Sequence, residues 1–529
     1  MPDWLSLIFP SSFMFGTRHN DVLAARAEGD ILFGLDGNDR LSSGFNRTAL
    51  IGGSGNDSLT TRFTLPLPAG VPVHALAVQS GGDGDDTLRV AVGLTGGIGA
   101  GAVVGNTIDM LLSGGTGNDT IAARAFVAEP STISVTFAID IRGGSGNDSI
   151  NAVADATGTI RDSVTNVTVD GGWGNDRIFV RADTERSGMV SMIENVLLGG
   201  QGNDVLDADA RGRSNGTELV SNRLDGGVGN DVLRAFNLTD SNTSTPIGIN
   251  RLSGGDGNDR LVAIHSTDGE NGITDVTNIL DGGWGNDSLS ATSTALGLSA
   301  RALNSLSGGE GNDRLTARLD AVAIANFINV SLDVSNVLNG GNGNDILEAF
   351  LSARAAVLEA DDSAENILNG GAGNDRLLAT VAPGSVGASL LDGGAGDDLL
   401  AVVGGTGNVL NGGTGRDLLV GGIGNDRFVG GDDVDTFRIN AASGQGEDTI
   451  ADFAIASDIF HFVGVTDQGA AGLVDDLDVL SSFDDLGAGG NVIVTFDAGT
   501  EIVLVGLGTG AVDSWAELVS DPARQLLLA

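Results

Sequence analysis

The residues best placed to do chemistry in this chain are aspartates, and they recur within one short pattern: GGxGND, with an apolar residue two positions after the Asp. Well-formed copies run from Gly52 to Leu59 (GGSGNDSL), Gly143 to Ile150 (GGSGNDSI), Gly282 to Leu289 (GGWGNDSL) and Gly370 to Leu377 (GGAGNDRL). A glycine turn carries no Cβ, so it can fold its carbonyls inward where other residues would clash. The Asp sets a hard anionic oxygen beside those carbonyls. Carbonyl and carboxylate oxygens together are the donor set that Ca²⁺ prefers. One turn offers too few of them, because Ca²⁺ takes about six to eight oxygens at roughly 2.3–2.6 Å. Two turns stacked on successive coils can share one ion. A single copy is an ordinary Gly-Asn-Asp turn; repetition in register is what points to a metal.

The spacing of these aspartates describes the scaffold that must hold them. Asp21, Asp30 and Asp39 lie nine apart and Asp57 follows at twice nine, the first two copies being degenerate (GTRHNDVL, ARAEGDIL). The steps then open out through Asp86, Asp119, Asp148, Asp176, Asp204, Asp231, Asp259, Asp287, Asp313, Asp345 and Asp375, at about 29 residues each. Asp398 and Asp417 follow at shorter intervals, and Asp417, Asp426 and Asp435 return to steps of nine.

Within a long step, an alternating apolar run follows the motif (Leu315, Ala317, Leu319; Ile121, Ala123, Ala125). A variable polar stretch comes next (Arg213 to Thr217, Thr239 to Thr245). A second alternating run then leads back to GG (Ile133, Val135, Phe137, Ile139, Ile141). Alternation of period two means strand. Each coil therefore reads as strand, loose turn, strand, glycine turn. Only neighbouring coils and the opposite strand can bury such strands, which is the logic of a parallel β-solenoid. With rungs about 4.8 Å apart, the eleven long steps span roughly 53 Å. Asn195, Asn222, Asn250, Asn278, Asn304, Asn336 and Asn366 each sit four places before GG on the inward face. Stacked at rung spacing, their amides can bond one another.

The nonapeptide GGxGxDxUx is a known repeat signature, and the chain resembles the RTX (repeats-in-toxin) family of secreted, hemolysin-type calcium-binding repeat proteins, most densely from about residue 16 to 437. The resemblance implies an all-β fold. It would be a right-handed parallel β-solenoid, a β-roll with mostly long coils of about 28 residues and one row of calcium turns, ending in a β-rich C-terminal cap. The family's usual coil is two nonapeptides with a calcium turn at each end. Here the long coils carry one such turn, which should merge the sites into a row along one edge. Carried over residue by residue, the implied metal ligands are Asp39, Asp57, Asp86, Asp119, Asp148, Asp176, Asp204, Asp231, Asp259, Asp287, Asp313, Asp345, Asp375, Asp398, Asp417, Asp426 and Asp435. They would hold roughly 12–16 Ca²⁺ ions, since each ion needs two neighbouring turns.

The implied organisation is an N-terminal cap with tight coils over 1–57, a long-coil solenoid over 58–400, tight β-roll coils over 401–437, and a cap and secretion region over 438–529. That last region contains GEDTIADF, NVIVTF and EIVLV. The resemblance also implies export from a bacterium by a type I apparatus to the extracellular space or cell surface, with folding there on calcium.

Composition narrows the function classes. A net charge of −43 and a pI near 4.1 repel nucleic acid and anionic membranes and resist compaction without counter-cations. Yet 41% of residues are hydrophobic, more than a disordered acidic polymer carries. The 84 glycines follow no Gly-X-Y period, so collagen is excluded. With no cysteine there are neither disulfides nor thiolate metal sites. No run approaches the ~18 apolar residues of a membrane span. The segment MPDWLSLIFPSSFMF, with an early acid and a proline, makes a poor signal peptide and is expected to cap one end of the array.

His19, His74, His265 and His461 are scattered, and neither HExxH nor GxSxG occurs. The expectation is a non-catalytic surface, matrix or adhesion component, with calcium and either self-assembly or a cell-surface polysaccharide as partners. The alternative is a polysaccharide-binding or polysaccharide-modifying solenoid working through paired carboxylates. Trp173 and Trp284, in the variable position of their turns, read as exposed aromatics or as sugar-stacking surfaces.

Overall fold

A computed structural model describes residues 10–528 except 69, 96–104, 129–132, 157–160, 188–189, 215, 242–245, 269–272, 325–330, 356–361, 441–445, 464–476, 479–480 and 498. Residues 1–9 of the expected N-terminal cap, and parts of the polar stretches at 213–217 and 239–245, thus lie outside the described residues. The chain forms two compact units, residues 1–283 with 294–301, and residues 284–293 with 302–529.

In the first unit each coil gives one strand to each of two parallel sheets. Strands leading into the motif form the first sheet: Asp30–Asp36, Thr48–Ser54, His74–Asp83, Asn106–Thr116, Ser134–Ser145, Asp162–Trp173, Val190–Gln201, Thr217–Val228 and Pro246–Asp256, each paired to the next. Strands leaving the motif form the second, from Arg40–Ser43 and Ser58–Pro66 through Thr87–Thr95, Thr120–Val127 and Ser149–Asp155 to Arg260–Asp268. Register places motif on motif. Gly144 pairs with Gly115 on one side and Gly172 on the other, and Ser145 pairs with Trp173. The coils are therefore parallel and stacked, and the fold is a β-solenoid.

Alternation along the strands builds the core. The residue two after the motif Asp is a fully buried Leu or Ile along the long coils, as at Leu88, Ile121, Ile150, Ile178 and Leu206, and a buried Phe at Phe428 and Phe437. The residue four after is in most coils a buried Val or Ala, as at Val90, Ala123, Ala152, Val180 and Ala208. Val135, Phe137, Ile139 and Ile141 are buried from the first sheet. Burying these apolar faces is the main term that stabilises each coil, at roughly 25 cal/mol per Å².

The second unit repeats this plan. Leu332–Asn342, Ser363–Ala372, Ala388–Ala395, Val409–Thr414 and Arg427–Asp432 form one sheet, and Arg314–Ala323, Ile346–Ala355, Arg376–Val381, Leu399–Val403, Leu418–Val420 and Thr436–Asn440 the other. Stacking continues past the last nonapeptide. Thr436–Asn440 pairs with Ile459–Val463, and Glu447–Ile450 pairs in parallel with Glu501–Leu504. Antiparallel pairing of Glu501–Leu504 with Val492–Phe496, and of that strand with Ser481–Asp485, then ends the repeat. Over this end lies an aromatic cluster. Trp515 is fully buried, its ring 5.2 Å from Phe462 and 5.4 Å from Phe460, and its indole N–H donates to Ser481 Oγ at 3.0 Å.

The inward asparagines form an amide series in each unit. Asn195 Nδ2 donates to Asn222 Oδ1 at 2.9 Å, Asn222 to Asn250 at 3.0 Å and Asn250 to Asn278 at 2.8 Å. In the second unit Asn304 donates to Asn336, and Asn336 to Asn366, both at 2.9 Å. The remaining amide hydrogen crosses to the opposite strand, as from Asn336 to the Phe350 carbonyl at 3.0 Å. Within each series these fully buried amides satisfy one another, as the low-polarity interior requires, apart from Oδ1 of Asn195 at the start of the first.

Candidate metal centre

Two residues of each motif stitch a coil to its neighbours in opposite directions. The Asp backbone N–H donates forward, to Oδ1 of the next coil's Asp. This bond is 2.7 Å at every step from Asp21 to Asp259 in the first unit. It is 2.7–3.0 Å from Asp287 to Asp435 in the second. The backbone N–H of the motif Asn donates backward, to Oδ1 of the preceding Asn, as from Asn175 to Asn147 and from Asn203 to Asn175, both at 2.6 Å. Glycine is needed because the turn runs through positive φ: +101° at Gly227 and +137° at Gly229.

The second carboxylate oxygen is where the site lies. Oδ2 of Asp39, Asp57, Asp86, Asp119, Asp148, Asp176, Asp204, Asp231, Asp313, Asp345, Asp375, Asp398, Asp417 and Asp435 is buried without a hydrogen-bond partner. A buried carboxylate oxygen left so is costly unless a cation meets it. The space beside it is also defined. A Cβ on Gly226, the first glycine of its motif, would lie 2.5 Å from Asp231 Oδ2 and 2.6 Å from the Gly254 carbonyl oxygen of the next coil. On Gly199 it would lie 2.5 Å from both Asp204 Oδ2 and the Gly226 carbonyl oxygen. The same pairing of own-coil carboxylate and next-coil carbonyl recurs from Gly34 to Gly254 and from Gly308 to Gly412. In that hollow, with no side chain between them, the carboxylate oxygen and the next coil's carbonyl lie close together, and hard oxygens of these two kinds are the donors a hard divalent cation takes.

Electrostatics agree with the geometry. Burial, opposed by the bond from the preceding Asp amide and reinforced by neighbouring carboxylates, pushes Asp57, Asp119 and Asp176 up to about 6. Asp86, Asp148, Asp231, Asp345, Asp398 and Asp435 rise to about 7 for the same reasons. Carboxyls in this condition hold protons near neutrality unless a positive charge replaces them. Among the described residues no three His, Cys, Asp or Glu side chains converge as a metal cluster. The donors are instead one carboxylate per coil and main-chain carbonyls. Bound there, Ca²⁺ would neutralise the row and cross-link adjacent coils.

Asp426 stands apart from the other sixteen expected ligands. It lies in the turn from the second sheet back to the first, on the opposite edge from Asp417 and Asp435. Its Oδ1 accepts from Asn408 Nδ2 at 2.7 Å and its Oδ2 from the Gly422 amide at 2.9 Å, so both oxygens are engaged. Two residues not singled out from the sequence continue the Asp-to-amide bonding. Asp448 Oδ1 accepts the Asp426 amide at 3.1 Å, and Asp458 Oδ1 accepts the Asp435 amide at 3.2 Å. Asp448 keeps two of the motif glycines, Gly444 and Gly446, and Asp458 none, but both keep the apolar residue two places on, Ile450 and Phe460, and that was the available signal. Trp173 and Trp284 are 66% and 70% exposed on their turns.

No curated protein matches the chain. The family model described as the RTX calcium-binding nonapeptide repeat (4 copies) matches residues 15–47, 111–125, 140–156, 157–183, 194–210, 221–237, 247–263, 277–293, 304–321, 334–349, 362–379, 384–401 and 403–437. These matches cover about half of the 529 residues and fall on the turns whose geometry is given above. With repeats of this kind closing coil after coil of a parallel β-solenoid, the chain belongs to the RTX family of calcium-binding repeat proteins.

Proposed function

We propose that this protein is a secreted, non-catalytic structural component of the cell surface or its surroundings, whose solenoid folds when Ca²⁺ enters the glycine turns outside the cell. The observation that carries the reading is the file of buried Oδ2 atoms without partners, all but that of Asp435 beside the next coil's glycine carbonyl. The proposed ligands are the motif aspartates from Asp39 to Asp435, Asp426 contributing least, with on the order of 12–16 ions. Stacked carboxylates repel one another without an ion between them, so binding and folding are one event. Extracellular calcium modules bind at about 10⁻⁴–10⁻³ M, which keeps such a chain unfolded where calcium is scarce and suits export through a type I channel.

Far-UV circular dichroism during a calcium titration tests the coupling. A coil-like spectrum in chelator at pH 7.5 should give way to a β spectrum at millimolar calcium, with calorimetry counting the ions. A full β spectrum in excess chelator at that pH would sink the proposal.

A further inference from the structure

Charge is segregated between the two sheets over five successive coils of the first unit. The second-sheet strands Ser58–Pro66, Thr87–Thr95, Thr120–Val127, Ser149–Asp155 and Arg177–Ser187 contain six arginines against two aspartates and one glutamate. The first-sheet strands of the same coils contain five aspartates against one arginine. In a chain of net charge −43, one face of this stretch is therefore basic.

The arginines are also in register. Arg62 pairs in the ladder with Ala91, Ala91 with Arg124, Arg124 with Val153 and Val153 with Arg181. Three exposed guanidinium groups thus stand in one column on every second rung, about 10 Å apart, and the small residues between them leave a trough. It is an open depression of about 370 Å³, walled by Arg62, Arg89 and Arg124 over Ala91 and Ala122. A second of about 420 Å³, bounded by Arg124, Asn151, Asp155, Phe179, Arg181 and Asp183, adjoins it. Arg124 lies 3.4 Å from Asp155, with its guanidinium 5.1 Å from the Phe126 ring centroid, and Arg181 lies 2.8 Å from Asp183. Arg62 and Arg89 meet no carboxylate among the described residues.

We infer that this trough binds a linear, carboxylate-bearing polysaccharide laid along the stacking direction, with its acid groups on the Arg62, Arg124 and Arg181 column. A chain alternating charged and neutral sugars presents one carboxylate per disaccharide. Two sugars of an extended chain span a length comparable to two rungs. Guanidinium groups suit carboxylates through paired N–H donors. Phe179, in the second depression, offers apolar surface to the sugar faces, and the open, small-residue floor admits a polymer where a closed pocket would not. The strong negative charge elsewhere on the chain disfavours polyanions that bind by charge density alone.

The inference rests on the calcium-folded state proposed above. The test is titration calorimetry of the full chain in millimolar calcium with hyaluronan decasaccharide, whose carboxylates recur once per disaccharide. A neutral glucan and single-stranded DNA of similar length serve as comparisons, and circular dichroism is read in the same buffer. The expected result is saturable hyaluronan binding that weakens as salt rises and falls roughly tenfold or more in the Arg62→Ala/Arg124→Ala double variant, with the β spectrum unchanged. No binding by folded protein, binding indifferent to both substitutions, or equal binding of the glucan or DNA would overturn it. A lost β spectrum in the wild type would instead count against the calcium reading.

Discussion

Replacing Gly226 by Ala tests the metal site with one methyl group. Gly226 does not have positive φ, so a side chain strains no dihedral there, but its methyl forces Asp231 and the Gly254 carbonyl to give way, a cost present at every calcium concentration to which the lost ion is added. What the methyl meets is the hollow itself, 2.5 Å from Asp231 Oδ2 and 2.6 Å from the Gly254 carbonyl. The variant should bind one ion fewer. For a dissociation constant of about 10⁻⁴–10⁻³ M, a site contributes about 1.4–2.7 kcal/mol of stability at 10 mM calcium. That contribution fades as calcium falls below the dissociation constant. Gly229→Ala is the contrasting variant. Its φ of +137° strains any L side chain and its Cβ would collide with the Gly202 carbonyl, so its cost should persist at every calcium concentration. The assays are denaturant unfolding across a calcium series and calorimetric ion counting. A Gly226→Ala protein that binds the full complement of ions, or whose stability loss does not grow with calcium, would refute the reasoning.

Acid should partly replace calcium. The folded-state carboxyls of Asp86, Asp148, Asp231, Asp345, Asp398 and Asp435 are raised to about 7, above the ordinary value of about 3.9. Their contribution to the metal-free fold is therefore present below about pH 4 and lost as pH rises through 7. In chelator, β signal in circular dichroism should appear on acidification and vanish by pH 8, and the calcium concentration that half-folds the chain should fall as pH drops from 8 to 5. Asn336→Ala should cost on the order of 3 kcal/mol in denaturant unfolding with calcium present, because the Phe350 carbonyl and Asn366 Oδ1 both lose their buried donor. Chelation at neutral pH should red-shift tryptophan emission as Trp515 leaves its aromatic cluster, and Trp515→Phe should remove most of that shift.

What was legible in the sequence was whatever repeats. The apolar residue two after each Asp, the alternation on both sides of the motif and the asparagines four before GG are periodic, and period fixes both face and register. The turn aspartates were legible for the same reason, and their orphaned oxygens lie where stacking would put them. Asp426 looks identical in sequence, but Asn408 and the Gly422 amide reach it only because the tight coil turns back on the other edge. The aromatic cap was invisible because Phe460, Phe496 and Trp515 meet across stretches that share no period. The basic trough was missed because its arginines are scattered in sequence by the variable loops, and only ladder pairing brings Arg62, Arg124 and Arg181 into line.

The bond from Asp amide to Asp carboxylate has the same 2.7 Å length whether 18 residues separate the partners, as for Asp39 and Asp57, or 33, as for Asp86 and Asp119. Closure is thus sensed locally at the hairpin and is blind to how much polypeptide was spent reaching it. Foreign peptide spliced into the far bend of a coil should leave the stacking undisturbed. Lineages carrying this architecture can vary what they display there while inheriting the same spine.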